Sequence, residues 1–209
     1  RAGAEFFPID VGSQDFADNI EKAVGNGEIL ITNTHAVAKY ILSRELQKSG
    51  YKVVLTGEGS DEIFAGYAPF KRDMILYSHL TQGSNSEEDV QKKLEKLMES
   101  NSVSRGTLIS NTAGSGLSSL ARTLGYVPSH LEAFTQLGDK FKGFMNSDFL
   151  SQFQERDTAR QLLNMFDIKG QLEGREPLHQ TMYIWSKTML PLYLLTVLGD
   201  RMEMAHSVE

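Results

Sequence analysis

One short segment limits the possible folds of this chain more than any other. Residues 52–56 (KVVLT) form an apolar, β-branched run, and it continues directly into residues 57–62 (GEGSDE). Such a run between helical segments is typical of a strand that a parallel sheet buries on both faces. Residues 5–9 and 28–32 could add short strands. The sequence therefore predicts an α/β architecture in which a strand ends in a tight glycine-containing loop and a helix follows.

Helical patterns surround this segment. Apolar residues recur four apart in residues 13–24, and residues 34–49 carry a second apolar stripe. Residues 86–99 form an amphipathic pattern with acids in the first turn. Residues 181–198 are almost entirely apolar, and we expect one buried helix with a kink at Pro191. Together these patterns predict a parallel sheet flanked by helices, with a mainly helical second half.

The composition excludes several classes of function. The 209 residues include no cysteine, which rules out disulfides, thiolate zinc sites and cysteine nucleophiles. A net charge of −6 argues against a general nucleic-acid binder, which would have to neutralise phosphates. The strongly apolar residues 189–198 are too few for a membrane span, which needs about 20. We expect a cytoplasmic protein without a membrane anchor. Because the chain opens at Arg1 without methionine, we also expect a part of something longer.

The loop after the predicted strand suits phosphate chemistry. Gly57 and Gly59 let the backbone approach a ligand closely, and the first amides of the following helix favour anions. Three carboxylates, Glu58, Asp61 and Glu62, crowd the same tip, where they would repel a phosphate unless a divalent cation lay between them. Residues 60–62 also look like an ordinary helix-capping sequence. Both roles can coexist, with the capping residues structural and Glu58 and Asp61 chemical.

Two ordered blocks carry a resemblance to a known family. Residues 54–67 (VLTGEGSDEIFAGY) resemble the S-G-E-G-S-D-E-x-F-G-G-Y block of glutamine-hydrolysing asparagine synthetases. Residues 199–209 (GDRMEMAHSVE) are similar to the D-R-x-x-M-A-H-S-x-E stretch of the same family. The resemblance implies a fold of the ATP-pyrophosphatase, adenine nucleotide alpha hydrolase-like kind. Residues 1–209 would form an incomplete part of one such domain.

The resemblance also implies a reaction. In that family the synthetase domain adenylates the side-chain carboxylate of aspartate with ATP and Mg²⁺. Ammonia from glutamine then attacks, which gives asparagine, AMP and pyrophosphate. The family's first phosphate loop (S-G-G-x-D-S) and its glutaminase domain are missing here, so we expect these residues alone to be inactive. Residues 113–119 (AGSGLSS) imitate that loop without its aspartate or a preceding strand, and a Gly/Ser connection is the simpler interpretation.

Several residues of the first block receive roles from the resemblance. Thr56 stands where the family has serine, and with Gly57 it would contact the nucleotide. Glu58 would stabilise formation of the acyl-adenylate or take a proton from the attacking amine. Asp61 would hold magnesium. Ala65 replaces a family glycine inside what we expect to be a helix, where alanine is the better helix former.

Alternatives stay open at this stage. Arg201 and Glu209, from the second block, would lie near the site. A related amidotransferase or a β-lactam-synthetase-like enzyme would adenylate a different carboxylic acid. A non-catalytic binding module on the same scaffold is a third possibility, against which the retention of Glu58 and Asp61 argues. The sequence leaves the oligomeric state open, a homodimer included.

Overall fold

The computed structural model describes residues 3–31, 33–77, 86–100 and 116–209. Within these ranges the chain is built from helices, and none of the described residues lies in a β-strand. In chain order the helices are α1 (Ser13–Gly27), α2 (His35–Lys48), α3 (Ser60–Ile63), α4 (Ala68–Tyr77), α5 (Glu87–Ser100), α6 (Ser118–Leu124), α7 (Ser129–Lys142), α8 (Ser147–Ser151), α9 (Thr158–Leu163), the π-helix π1 (Ile168–Leu172), α10 (Pro177–Lys187), the π-helix π2 (Leu190–Asp200) and α11 (Arg201–Met204).

The chain divides into two compact units. The first unit comprises Arg1–Gly59 and Ser186–Glu209, and the second comprises Ser60–Trp185. The boundary therefore falls inside the acidic loop, directly after Gly59. That both units belong to one larger domain stays a prediction.

The predicted parallel sheet is wrong for the described part of the chain. Residues 52–56 are not in a strand, and Val53 is 66% exposed and Leu55 is 96% exposed. A central strand of a parallel sheet would bury both side chains. Residues 5–9 and 28–31 are not strands either. An apolar β-branched run favours an extended backbone, yet a strand also requires neighbouring chains to pair with.

One backbone pairing does occur along this segment. Glu209 donates its N–H to the carbonyl of Lys52 at 2.8 Å, and its own carbonyl accepts from the N–H of Val54 at 2.6 Å. This is the hydrogen-bond pattern of a parallel pair. It extends over a single residue, so it does not form a ladder.

The first unit is organised around α1 and α2. The expected helix at 13–24 is confirmed, but the sequence stripe does not mark its buried face, because Ile20 and Val24 are 48% and 45% exposed. Asn19 and Ala23 are buried instead. Together with α2, π2 and α11, α1 encloses one core: Ala23, Ala36, Val37, Tyr40, Ile41, Leu198 and Met202.

A buried polar contact joins α2 to the end of the chain. Ser43 is 2% exposed, and its hydroxyl donates to the carbonyl of Met202 at 2.6 Å. His206 Nδ1 lies 2.7 Å from the same hydroxyl, and the His206 ring packs edge-on against Tyr40 at 4.4 Å. His206 is thus a packing residue. Burial is the main reason that the pKa of its imidazole is lowered.

The expected single helix at 181–198 is interrupted. α10 ends at Lys187, and a π-helix begins three residues later. Pro191 lies in the first turn of π2, where its missing N–H costs little, and Thr196 donates its hydroxyl to the Pro191 carbonyl at 2.7 Å. Leu192 is 60% exposed, so the segment is not fully buried. Among the described residues no helix combines the length and apolar character needed to cross a bilayer. The cytoplasmic location stays a prediction.

The second unit has an aromatic centre. Burial lowers the pKa of His130 to about 3, so its imidazole stays neutral at physiological pH. The ring lies 4.8 Å from that of Trp185. Two aliphatic clusters complete the core of this unit: Leu117, Leu120, Ala159 and Leu163, and Ala68 with Leu97.

A buried aspartate connects three helices of the second unit. Asp73 on α4 is fully buried, and its Oδ1 accepts from the Ser129 N–H at 3.0 Å and from the Ser129 hydroxyl. Its Oδ2 accepts from the Thr181 hydroxyl at 2.8 Å. Tyr126 lies 3.0 Å from Thr181 and donates to the Pro177 carbonyl at 2.7 Å. Every oxygen of this buried carboxyl group therefore has a partner, as burial requires.

We expect the stability of the fold to depend on the charge of Asp73. Burial raises the pKa of Asp73 to about 6, although hydrogen bonds from Ser129 and Thr181 lower it. Folding therefore favours the protonated carboxyl group. The free energy of unfolding should fall by about 3 kcal/mol as the pH rises from about 4 through the folded pKa. Asp73→Asn, which keeps an acceptor for Ser129 and carries no charge, should remove most of this decrease.

Urea unfolding of the protein at several pH values measures this effect. Asp89→Asn changes an exposed aspartate in the first turn of α5 and is the matched control, which should retain the wild-type pH dependence. An unchanged slope in Asp73→Asn would contradict the prediction.

Candidate functional site

The two glycines of the loop differ in whether the local structure requires a glycine. Gly59 has a φ of +96°, a conformation that glycine adopts without strain. Gly57 is exposed and its φ lies outside the left-handed region. A Cβ atom at Gly57 would meet no described atom within 4 Å. Neither packing nor backbone conformation in the described part of the chain therefore requires glycine at position 57.

Glu58 forms an ion pair with a residue that the sequence analysis missed. Lys39 Nζ lies 2.7 Å from Glu58 Oε1, and the two side chains are 28% and 22% exposed. Lys39 is on α2, beside the buried residues Val37 and Tyr40. A signal was present in the sequence, because Lys39 is the one charge within the otherwise apolar run at 36–42 (AVAKYIL).

A second carboxylate shares the charge of this lysine. The pKa of Glu203, on α11, is raised mainly by burial and further by repulsion from Asp200 and Glu58, while Lys39 lowers it. Lys39 therefore acts electrostatically on Glu203 as well as pairing with Glu58. The ammonium group that pairs with Glu58 thus also influences one further carboxylate of the first unit.

The acids at the start of α3 have separate roles. Glu62 is 1% exposed and accepts a hydrogen bond from the Tyr67 hydroxyl at 2.8 Å, so it is part of the interior of the second unit. Asp61 is exposed. A Cβ atom at Gly66 would overlap the Asp61 carboxylate, so glycine at 66 leaves room for it. The structure thus makes Asp61 the accessible acid of the pair.

The expectation for Ala65 is wrong. α3 ends at Ile63, and Ala65 has a φ of +55°, in the left-handed region. The Gly66 N–H donates to the Asp61 carbonyl at 2.9 Å, the six-to-one hydrogen bond of a Schellman motif. Ala65 occupies the position of that motif where glycine is favoured. Helix propensity was therefore the wrong criterion for this residue.

The donor set fits a magnesium ion held mainly by phosphates. Among the described residues no group of three or more His, Cys, Asp or Glu is placed to hold a metal ion. Nucleotide-bound magnesium uses only one or two protein carboxylates. The exposed carboxylate of Asp61 fits that requirement and could supply one ligand.

The residues predicted from the second block contact elements of the first unit. Arg201 Nη1 donates to the Gly27 carbonyl at the end of α1, and its Nη2 lies 3.4 Å from Glu28 Oε2. The partial negative charge at the C-terminal end of a helix stabilises a guanidinium at this position. The backbone of Glu209 pairs with residues 52–54, just before Thr56. Thr56 is exposed. The structure thus assigns Arg201 an anchoring role, and its proximity to a substrate stays a prediction.

Comparison with known proteins decides the family. The family model for asparagine synthase matches residues 1–209, the whole chain. The chain belongs to the asparagine synthase family.

The similar proteins differ in how much of the chain they match. The amidase chyE of Penicillium rubens is 24% identical over 210 residues, which is 99% of this chain and 30% of that protein. The amidase chry2 of Gibberella zeae is 22% identical over 217 residues, 100% of this chain and 31% of that protein. The nodule asparagine synthetase of Pisum sativum is 41% identical, but over 61 residues, 28% of this chain and 10% of that enzyme.

The chain is much shorter than the amidases that it resembles. It spans about 30% of the length of the amidases that it matches throughout. No solved structure matches it. Membership of the asparagine synthase family is confirmed. The resemblance to the glutamine-hydrolysing asparagine synthetases in particular, and their reaction, stay predictions.

We expect Ala65→Gly to stabilise the protein. Glycine removes the cost of a left-handed alanine, so the free energy of unfolding should rise by about 1 kcal/mol. Ala121→Gly, in the exposed interior of α6, is a control of opposite sign and should lower it by about 0.5–1 kcal/mol. Urea unfolding of both variants measures the difference. Destabilisation by both glycines would contradict the left-handed assignment of Ala65.

Proposed function

We propose that the chain is part of an ATP-dependent amide-forming enzyme, which activates a carboxylic acid as its acyl-adenylate and transfers the acyl group to an amine. The observation that carries this proposal is the Lys39–Glu58 ion pair within a chain that matches the asparagine synthase family throughout. Adenylation of aspartate, followed by amination with ammonia from glutamine, is the first reaction to test. The glutaminase activity would reside elsewhere in a longer protein.

The residues of the loop suit the steps of this reaction. The Thr56 hydroxyl and the Gly57 N–H are exposed donors that would hold nucleotide oxygens. ATP, a substrate here, supplies the adenylyl group and leaves pyrophosphate. Glu58 would remove a proton from the ammonium-like adduct that forms when the amine attacks the activated acyl carbon. Release of AMP then completes the amide bond, and the proton stays on the glutamate until solvent removes it.

Magnesium would act through the phosphates. When bound, it neutralises the charge that develops on the pyrophosphate leaving group. Asp61 would contribute one oxygen ligand to the ion. Its exposure, together with the glycine that makes room for its carboxylate, supports this role.

A second candidate function uses a different carboxylic acid. The relatives that match the whole chain are two amidases, whereas the Pisum sativum asparagine synthetase matches only 28% of it. This difference favours an enzyme that forms an amide on an acid other than aspartate. The loop chemistry would be the same in both cases, because adenylation depends on the nucleotide and not on the rest of the acid.

Amide hydrolysis, which the name amidase also suggests, has weaker support. Ser43 and His206 form a serine–histidine pair at 2.7 Å. Ser43 is 2% exposed, however, and its hydroxyl donates to the carbonyls of Met202 and Tyr40. A hydroxyl buried and bonded in this way is not available as a nucleophile. We therefore prefer amide synthesis.

Pyrophosphate release by the complete protein tests the proposal. ATP, Mg²⁺ and an ammonia source are supplied with aspartate or with one of a panel of other carboxylic acids. We expect one acid to support release of AMP and pyrophosphate in equal amounts. Glu58→Gln should lower the rate of amide formation by about 100-fold to 10,000-fold, because the proton acceptor is lost. Glu21→Gln, an exposed glutamate of α1, is the matched control and should keep the wild-type rate.

The outcomes separate the candidate functions. Release with aspartate supports asparagine synthesis, and release with another acid supports the second candidate. If no acid supports release and Mg-ATP does not shift the thermal stability of the complete protein, a non-catalytic binding module replaces both.

Gly57→Ala should separate nucleotide binding from folding. Because a Cβ at this position meets open space, the free energy of unfolding should change by less than about 0.5 kcal/mol. The added methyl group should keep a nucleotide away from the backbone and weaken Mg-ATP binding, measured by calorimetry on the complete protein. Gly138→Ala on α7, where a Cβ also meets nothing within 4 Å, is the control and should bind Mg-ATP normally. Normal binding by Gly57→Ala would contradict the loop assignment.

A further inference from the structure

We propose that Lys39 is the positioning residue for the carboxylate of Glu58. The proposal rests on the function proposed above, because it gives Lys39 a part in the proton transfer by Glu58. Lys39 acts through Glu58 and does not touch the reacting atoms. The motif that points to Glu58 did not indicate Lys39.

The two partners of the ion pair differ in how firmly the backbone holds them. Lys39 is on α2, and its neighbours Val37 and Tyr40 belong to the core of the first unit. Glu58 lies in a segment without regular structure, directly before the left-handed turn at Gly59. The backbone that carries the ammonium group is therefore the better held of the two. In this proposal the ammonium group determines where the carboxylate of the loop residue lies.

The geometry leaves one carboxylate oxygen available. Lys39 Nζ contacts Oε1 of Glu58 at 2.7 Å, a short charge-assisted hydrogen bond. Among the described residues no hydrogen-bond partner of Oε2 is found. A proton acceptor needs this arrangement, because one oxygen fixes the orientation and the other receives the proton. The side chains are about a quarter exposed, so a small substrate amine can reach them.

Kinetics of the complete protein, with the acid identified by pyrophosphate release, test this inference. Lys39→Met keeps most of the stem and removes the charge. It should lower kcat by about 100-fold, the effect of a misplaced catalytic group, and leave the KM for ATP within about twofold. Lys39→Arg should recover part of the loss. Lys48→Met, on the same helix and paired with Glu45, is the control and should match the wild type.

The split between kcat and KM distinguishes positioning from a merely structural role. A structural role for Lys39 would lower the stability of the Lys39→Met variant, and the folded protein would keep the wild-type kcat. A positioning role lowers kcat at an unchanged KM for ATP, with partial recovery in Lys39→Arg. Wild-type kcat in folded Lys39→Met would overturn the inference.

A crystal structure keeps this result separate from a failure of the proposed function. If the wild type turns over no acid, the proposed reaction fails on its own. Structures of the wild type and of Lys39→Met then decide the positioning role. We expect the Glu58 carboxylate to lose its single position in the variant. A carboxylate that stays in place without Lys39 overturns the inference whatever the activity.

Discussion

The packing of α2 against the segment around Met202 is the constraint on which the first unit depends. Met202 is fully buried, and its carbonyl accepts from Ser43, a buried hydroxyl in the middle of α2. His206 completes the contact by pairing with the same hydroxyl. These interactions fix the face of α2 that carries Lys39. They also hold the end of the chain, where Glu209 pairs with the backbone before the acidic loop. Each sequence block therefore contacts α2, the first through Glu58 and the second through Met202 and His206.

The helices could be predicted from sequence because their signals are local. The patterns at 34–49 and 86–99 agree with α2 and α5 to within one residue at each end. A stripe with helical spacing still does not say which face the rest of the chain covers, as Ile20 and Val24 show. The prediction of a sheet was wrong because strands have no such local signal. Strand formation depends on partners distant in sequence, and among the described residues the run containing the exposed Leu55 pairs at one position only.

The site was predictable as far as a motif reaches. Glu58 and Asp61 were found by resemblance to a family, and the argument that they lie at the carboxyl edge of a sheet loses its premise in a chain whose described residues contain no strand. Lys39 was missed because nineteen positions separate it from Glu58, beyond any local pattern. Ala65 was misjudged because the end of α3 is set by a Schellman hydrogen bond from Gly66 and not by propensity. Contacts between residues distant in sequence account for the errors on the sheet and on Lys39, whereas the error at Ala65 arose from a local hydrogen bond.

The uneven similarity to relatives bears on which acid the enzyme would activate. Identity to the Pisum sativum asparagine synthetase is 41% over 61 residues, while identity to the Penicillium rubens amidase is 24% over nearly the whole chain. A short stretch of high identity indicates a shared local requirement, such as binding the same nucleotide. Recognition of the acid depends on many side chains spread over a fold and can change while that stretch is kept. The proposed function has the same division: Glu58 and Lys39 would serve proton transfer, a step common to every acid, and neither would select aspartate. We therefore expect the loop residues to determine the type of reaction and the remainder of the chain to determine which acid is the substrate.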